Sequence, residues 1–95
     1  MSYSLHSYKL ASGAQHICIL QAPERKTKWL KILVMRDKPL SVERVPVSER
    51  EHMRPIEFRG APYPLKRALK LFRKFGKAHG SNKVARKFIR EGLNQ

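Results

Sequence analysis

Short hydrophobic runs separated by polar residues fill the first sixty positions, and this pattern predicts β-strands. SYSLHSYKL places its large apolar residues first at odd and then at even positions, which predicts a bulge or bend in the first strand. HICIL is short enough to be a buried strand. WLKILVMR is the longest hydrophobic run, rich in β-branched and aromatic residues, and it predicts the central strand.

Two further stretches extend the strand pattern to residue 59. LSVERVPV contains Pro46, whose missing N–H favours an edge position in a sheet. PIEFR is a candidate for a fifth strand. Together these runs predict a four- or five-stranded antiparallel meander over residues 2–59.

The two prolines of APYP mark a change from the period of strands to the period of helices. We predict helices over residues 64–79 and 81–92, with Gly80 ending the first and Ser81 capping the second. At about 100° per residue, the apolar and basic positions of both helices separate into opposite arcs. The apolar positions are Leu65, Ala68, Leu69, Phe72, Phe75 and Gly76 in the first helix and Val84, Ala85, Phe88, Ile89 and Leu93 in the second.

These elements predict an α+β fold in a single domain of residues 1–95. The apolar sides of the helices are expected to cover one face of the sheet, so that their basic sides point outward. The expected contacts bring Leu69, Phe72, Phe75, Phe88 and Ile89 against Ile17, Ile19, Ile32 and Val34. A chain of 95 residues buries a small core and leaves little room for an enclosed active site.

Cysteine usage and hydropathy bear on where the protein acts. The single cysteine, Cys18, excludes an internal disulfide, fits a reducing compartment and is expected to be a buried small hydrophobe. No stretch approaches the roughly 18 apolar residues of a membrane span, and the first ten residues lack the apolar segment of a signal peptide. We therefore expect a cytoplasmic protein without a membrane partner.

Net charge is the strongest indication of function. The chain has 21 Lys or Arg against 7 Asp or Glu, a formal net charge of +14. Such an excess favours nucleic acid or another anionic surface as the partner. Residues 64–95 hold ten of the basic residues and one acidic residue, so the charge is concentrated on the predicted helices.

Like charges recur at helical spacing in both predicted helices, as in Lys66–Lys70, Arg73–Lys77 and Lys83–Lys87. A solvated helix face usually mixes signs, because like charges four residues apart destabilise a helix by a few tenths of a kcal/mol. This arrangement predicts a polyanion partner, and we expect a non-catalytic nucleic-acid-binding protein that contacts mainly phosphates of DNA or RNA. The predicted contacts are Lys66, Arg67, Lys70, Arg73, Lys74, Lys77, Lys83, Arg86, Lys87 and Arg90.

Two modes of base recognition stay open beside phosphate contact. KAHGSNKV resembles the turn of a helix–turn–helix, which would make Asn82 and Arg86 base readers and would use Gly76 for close helix approach. Exposed aromatic rings could instead stack on unpaired bases. The candidates are Tyr3, Tyr8, Trp29 and Tyr63, although we expect Trp29, at the start of a hydrophobic strand, to belong to the core.

An acidic protein surface is the alternative partner, and the chain would then be a small regulator or inhibitor, with a nucleic-acid enzyme as one candidate target. A protein interface needs an apolar anchor. Leu71, at the margin of the basic arc, is the residue of the helices that could supply it.

Catalysis, metals and cofactors have little support in the sequence. The four histidines are scattered without metal-ligand spacing, so we expect no metal, no cofactor and no small-molecule ligand. Two minor alternatives remain. His52 or His79 would serve as general acid–base of a metal-free RNase. Alternatively, carboxylates would form a magnesium-dependent nuclease site; the candidates are Asp37, Glu43, Glu49, Glu51 and Glu57.

Overall fold

The computed structural model describes residues 2–10, 12–36 and 39–95 and confirms the α+β fold. A five-stranded antiparallel sheet has the strand order β4-β3-β2-β1-β5. Its strands are β1 (Ser2–Lys9), β2 (Gln15–Ala22), β3 (Trp29–Met35), β4 (Ser41–Pro46) and β5 (Met53–Pro55). A small hairpin of β6 (Glu57–Phe58) and β7 (Ala61–Pro62) leads into the helices α1 (Leu65–His79) and α2 (Lys83–Leu93).

The two edge strands of the sheet, β4 and β5, are consecutive in the chain, and the short connection between them requires the sheet to curl. A single 3-10 helix, Val47–His52, joins β4 at one edge to β5 at the other. This helix is held to the sheet at two points. The Tyr8 hydroxyl donates a hydrogen bond to Glu49 Oε1 at 2.9 Å, and the Val47 N–H donates to the Lys28 carbonyl at 3.0 Å. The face of the sheet that carries Tyr8 and meets this helix is the concave face, and it encloses a core of its own.

Two separate cores occupy the two faces of the sheet. The core under the helices contains Leu5, Ile19, Leu33, Leu40, Ala68, Leu69, Phe72, Ala85, Phe88 and Ile89. The concave core contains Tyr8, Cys18, Leu20, Leu30, Ile32, Val34 and Met53. Because both faces are buried, both odd and even positions of a strand can be apolar.

The predicted bulge in the first strand is wrong for this reason. β1 pairs with β2 without interruption from Ser2 opposite Ala22 to Lys9 opposite Gln15. Leu5 belongs to the core under the helices and Tyr8 to the concave core. The change of phase in the sequence is a change of face along a regular strand.

Three details of the predicted sheet also need correction. Ile32 and Val34 belong to the concave core, and Leu33 is the β3 residue that meets the helices. The central strand is β2, although Pro46 does lie in an edge strand, as predicted. The fifth strand ends at Pro55, because the chain then turns through Arg59 (φ 55°) and Gly60 (φ 80°) to form the β6–β7 hairpin.

The turn between the helices is built differently from the prediction. α1 does end at Gly80, which has a φ of 97°. The cap of α2 is Asn82 and not Ser81: its Oδ1 accepts a hydrogen bond from the Ala85 N–H at 2.8 Å. Ser81 instead pairs with Leu40 in an isolated β-bridge. The Leu40 N–H donates to the Gly80 carbonyl at 2.9 Å, and the Asn82 N–H donates to the Leu40 carbonyl at 3.2 Å.

The glycine at which the helices approach each other closely is Gly92. A Cβ at this position would lie 2.7 Å from Leu69 Cδ1, so a larger residue would force the buried Leu69 side chain of α1 to shift. Gly76, predicted for this role, faces Leu40 and Ser81 instead, and a Cβ at this position would lie 3.1 Å from Leu40 Cδ1. Gly76 therefore accommodates the bridged turn.

Replacing Asn82 with Ala should lower the free energy of unfolding by about 1 kcal/mol, the usual effect of losing a helix cap. The Ala85 N–H would lose its acceptor at the start of α2. Chemical denaturation followed by circular dichroism measures this change. Ser81→Ala is the matched control and should have a clearly smaller effect, because the Ser81 hydroxyl does not cap the helix. Equal losses in the two variants would contradict the assignment of the cap.

Candidate nucleic-acid interface

All ten predicted contact residues are exposed in the structure. The buried faces of the helices hold them outward, because Ala68, Leu69 and Phe72 of α1 and their counterparts in α2 pack on the sheet. We call these ten exposed cations the helix surface. It comprises Lys66, Arg67, Lys70, Arg73, Lys74 and Lys77 of α1 and Lys83, Arg86, Lys87 and Arg90 of α2.

An open cleft of about 430 Å³ joins the two halves of the helix surface. Four cations line it, two from each helix: Arg73, Lys77, Arg86 and Arg90. Ile89 and Leu93 contribute apolar area to the same cleft. The cleft therefore combines positive charge with an apolar component, which the sequence did not predict.

Few carboxylates offset the positive charge of the helix surface. Within the described residues, one of the ten cations forms an ion pair, that of Lys87 Nζ with Glu91 Oε1 at 4.0 Å. The Arg67 guanidinium lies 5.0 Å from the centroid of the Phe58 ring. Repulsion among the remaining charges is thus left for solvent and salt to screen.

The two residues proposed as base readers are both engaged within the turn. The Asn82 side-chain oxygen caps α2, and Arg86 Nη1 donates a hydrogen bond to the Ser81 carbonyl at 2.6 Å. Both groups stabilise the connection between the helices. This geometry weakens the helix–turn–helix interpretation.

Among the four aromatic candidates, Trp29 is the one that lies open to solvent. Tyr8 is buried. Tyr3 packs edge-on against Phe88 with 5.5 Å between ring centroids, and Tyr63 packs in the same way against Phe58 at 5.8 Å. Trp29 is 48% exposed, so the expectation that it belongs to the core is wrong. It begins β3 at a point where neither core includes it.

The candidate catalytic groups do not all converge on one site, although His52, Glu49 and Glu51 lie together in the 3-10 helix. His52 Nε2 lies 3.5 Å from a carboxylate oxygen of both Glu49 and Glu51, whereas His79 packs against the Phe75 ring at 4.4 Å. Glu43 pairs with Arg36 at 3.1 Å. Asp37 lies outside the described residues. Within residues 2–10, 12–36 and 39–95, no three His, Cys, Asp or Glu side chains gather as metal ligands would.

Cys18 and His6 are buried titratable groups in or beside the concave core. Burial, and to a smaller extent Glu43, raises the pKa of Cys18 to about 12, so this thiol behaves as the buried hydrophobe that was predicted. Burial, followed by the charge of Arg50, lowers the pKa of His6. His6 Nε2 lies 2.7 Å from Ser4 Oγ, whereas its buried Nδ1 has no hydrogen-bond partner among residues 2–10, 12–36 and 39–95.

The fold and its exposed charges define a small α+β protein with a curled sheet and a basic two-helix surface. Compared with known protein families, with curated proteins and with solved structures, the chain matches none. Neither α1 nor α2, the α-helices of the described chain, is long and apolar enough to span a membrane.

Proposed function

We propose that this protein binds nucleic acid without catalysing a reaction, and that it does so by contacting the phosphate backbone with the helix surface. The observation that carries the proposal is the exposure of ten cations on two adjacent helices, with one ion pair among them in the described residues. A phosphate backbone supplies negative charge at regular intervals and would relieve this repulsion. The buried, unpaired Cys18 suits a reducing compartment, and we place the protein in the cytoplasm.

Phosphate contact is favoured over base reading because of where the polar groups point. Exposed Lys and Arg side chains neutralise phosphates of any sequence, whereas base reading requires free side-chain groups held in a defined place. Asn82 and Arg86 already bond to the main chain of the turn. The helix surface therefore provides affinity for nucleic acid with little discrimination between sequences.

An acidic protein partner is the second candidate, and the cleft between the helices favours it. Protein interfaces are anchored by an apolar side chain in a pocket surrounded by polar contacts. Leu93, with the nearly buried Ile89 beneath it, offers an apolar contact in the cleft that the four cations line, and Leu71, predicted for this role, is 44% exposed on α1. An acidic helix with one protruding apolar residue would fit this arrangement, and the protein would then act as a regulator.

Removing three charges from α1 should weaken nucleic-acid binding by roughly 10²–10³-fold at about 0.1 M salt, because each lost phosphate contact gives up one counterion release. The variant carries Arg73→Gln, Lys74→Gln and Lys77→Gln. Arg86 stays, since it bonds to the turn. Fluorescence anisotropy with labelled single- and double-stranded DNA and RNA measures the affinity, and circular dichroism checks the fold.

The matched control removes the same charge from exposed positions outside α1 and α2, with Lys9→Gln, Arg50→Gln and Arg54→Gln. Its affinity should stay much closer to that of the original protein. Equal losses in the two variants would mean that net charge alone drives binding. Unchanged affinity in a folded helix variant would exclude the helix surface as the interface.

A further inference from the structure

A second basic surface lies on the sheet, on the same face as the helices but beyond their reach. Cross-strand pairing places Tyr3 opposite Gln21, Gln21 opposite Lys31, and Lys31 opposite Arg44. This row is the next on its face after the buried row of Leu5, Ile19 and Leu33. The helix cover ends at Tyr3, whose ring packs on Phe88 of α2. The row then continues into solvent as Lys31 and Arg44, both exposed.

Trp29 stands beside this row and shares its face. It lies two residues before Lys31 on β3, and strand residues two apart point to the same side of a sheet. An open groove of about 380 Å³ is bounded by Gln21, Thr27, Trp29, Lys31 and Arg44, with Pro23 and Leu30. The backbone N–H of Trp29 donates a hydrogen bond to Thr27 Oγ1 at 3.3 Å, which ties the start of the strand to the preceding loop. The backbone of Trp29 is thus tied to the loop that borders the groove.

The two positive charges at this groove destabilise the sheet. Lys31 and Arg44 lie directly opposite each other on neighbouring strands, and like charges in this position destabilise a sheet. Neither pairs with a carboxylate in the part of the chain that the structure describes. A half-exposed tryptophan beside such a pair also leaves a large apolar surface in water. One ligand that is both anionic and aromatic would satisfy both features.

We propose that this groove binds an unpaired nucleotide, with its base stacked on Trp29 and its phosphates on Lys31 and Arg44. Stacking on an aromatic side chain beside a basic track is the usual way in which proteins hold single strands. A duplex hides the faces of its bases, so the groove selects single-stranded segments. This inference rests on the proposed function and deepens it, since the helix surface accepts either form.

Tyr3 connects the groove to α2 through two contacts. Gln21 Nε2 donates a hydrogen bond to the Tyr3 hydroxyl at 3.2 Å, and the Tyr3 ring contacts Phe88. Lys87 and Arg90 of α2 flank Phe88 along the helix. A strand that contacted both surfaces would cross Tyr3, close to Glu91.

Intrinsic fluorescence tests the inference directly, because Trp29 is the only tryptophan of the chain. The probes are an unstructured oligonucleotide in DNA and RNA form, the blunt duplex of the same sequence, and inorganic polyphosphate. Single strands should quench the emission strongly. The duplex and polyphosphate should bind with little quenching, since neither offers an accessible base.

Substitution of Trp29 gives the second readout. Trp29→Ala should weaken binding of the single strand by about 5- to 150-fold, the range for loss of one stacked base, and should change duplex affinity by less than about twofold. Trp29→Phe should recover part of the loss. Val47→Ala is the matched control, because Val47 is an equally exposed hydrophobic residue outside the groove and should leave both affinities unchanged.

The outcomes separate this inference from the proposed function. If single strands and duplex both bind, but neither quenches Trp29 and Trp29→Ala has no effect, the groove does not hold a base and the helix surface alone remains. If no nucleic acid binds to the original protein, the proposed function and the groove assignment both fail. Both are supported if Trp29→Ala loses affinity for single strands and if, in the original protein, single strands alone quench the Trp29 fluorescence.

Discussion

Raising the salt concentration from about 50 to 200 mM should weaken nucleic-acid binding by roughly 10³–10⁵-fold. This range corresponds to about 6–10 phosphate contacts, each of which releases a condensed counterion on binding. The helix surface offers ten exposed cations for these contacts. The affinity for single- and double-stranded DNA and RNA, measured at several salt concentrations, gives the slope of log affinity against log salt. We expect a slope of about −5 to −9 for duplex DNA.

The salt series also discriminates between the two candidate partners. A decrease of less than tenfold over this range would show that phosphates are not the main contact. No binding of any nucleic acid at about 50 mM salt would leave the acidic protein surface as the partner. In that case, an acidic helical peptide carrying one leucine should perturb the NMR signals of Ile89 and Leu93, and the same peptide with serine in its place should not.

Replacing Phe72 with Ala should lower the free energy of unfolding by about 3–5 kcal/mol. Phe72 is fully buried between α1 and the sheet, in the core that holds both helices. A domain of this size has a total stability of roughly 5–14 kcal/mol. Repulsion within a chain of net charge +14 works against the compact state as well. Urea denaturation should therefore show a variant with much of its stability lost.

Leu71 provides the control for this loss, because it directly precedes Phe72 in the same helix and faces outward. Leu71→Ala should change the free energy of unfolding by less than about 0.5 kcal/mol. Similar losses for the two variants would mean that α1 does not pack on the sheet through its Phe72 side. The nucleic-acid affinity of the same two variants shows whether binding requires the folded helices or only the net charge of the chain.

The helices were the part of the fold that the sequence predicted best. Their apolar and basic residues separate at the 3.6-residue period, and the predicted ranges 64–79 and 81–92 differ from the observed ones by two residues or fewer. The cap was misassigned because Ser81 and Asn82 are adjacent and both are good caps. Only the bridge to Leu40, a contact distant in sequence, decides between them. Val84 was placed on the apolar side but is 57% exposed, since the packed face of α2 is narrower than the arc of apolar residues.

The faces of the sheet were less predictable, for a physical reason. Alternation shows which residues of a strand share a face, but in WLKILVM consecutive residues are apolar because both faces are buried. The pattern could not say that Leu33, and not Ile32, meets the helices. The exposure of Trp29 was missed because it depends on how far the helices extend over the sheet.

The hydrogen bonds of Leu40 on both sides of Ser81 anchor the turn between α1 and α2 to the sheet. Both helices are therefore fixed to the sheet at the point where they meet. The spacing between the cations of α1 and those of α2 is set before any ligand arrives, so association costs little backbone conformational entropy. Flexible side chains then adjust the individual contacts. Preorganisation of this kind would let a protein of 95 residues bind the proposed polyanion without an induced rearrangement of its fold.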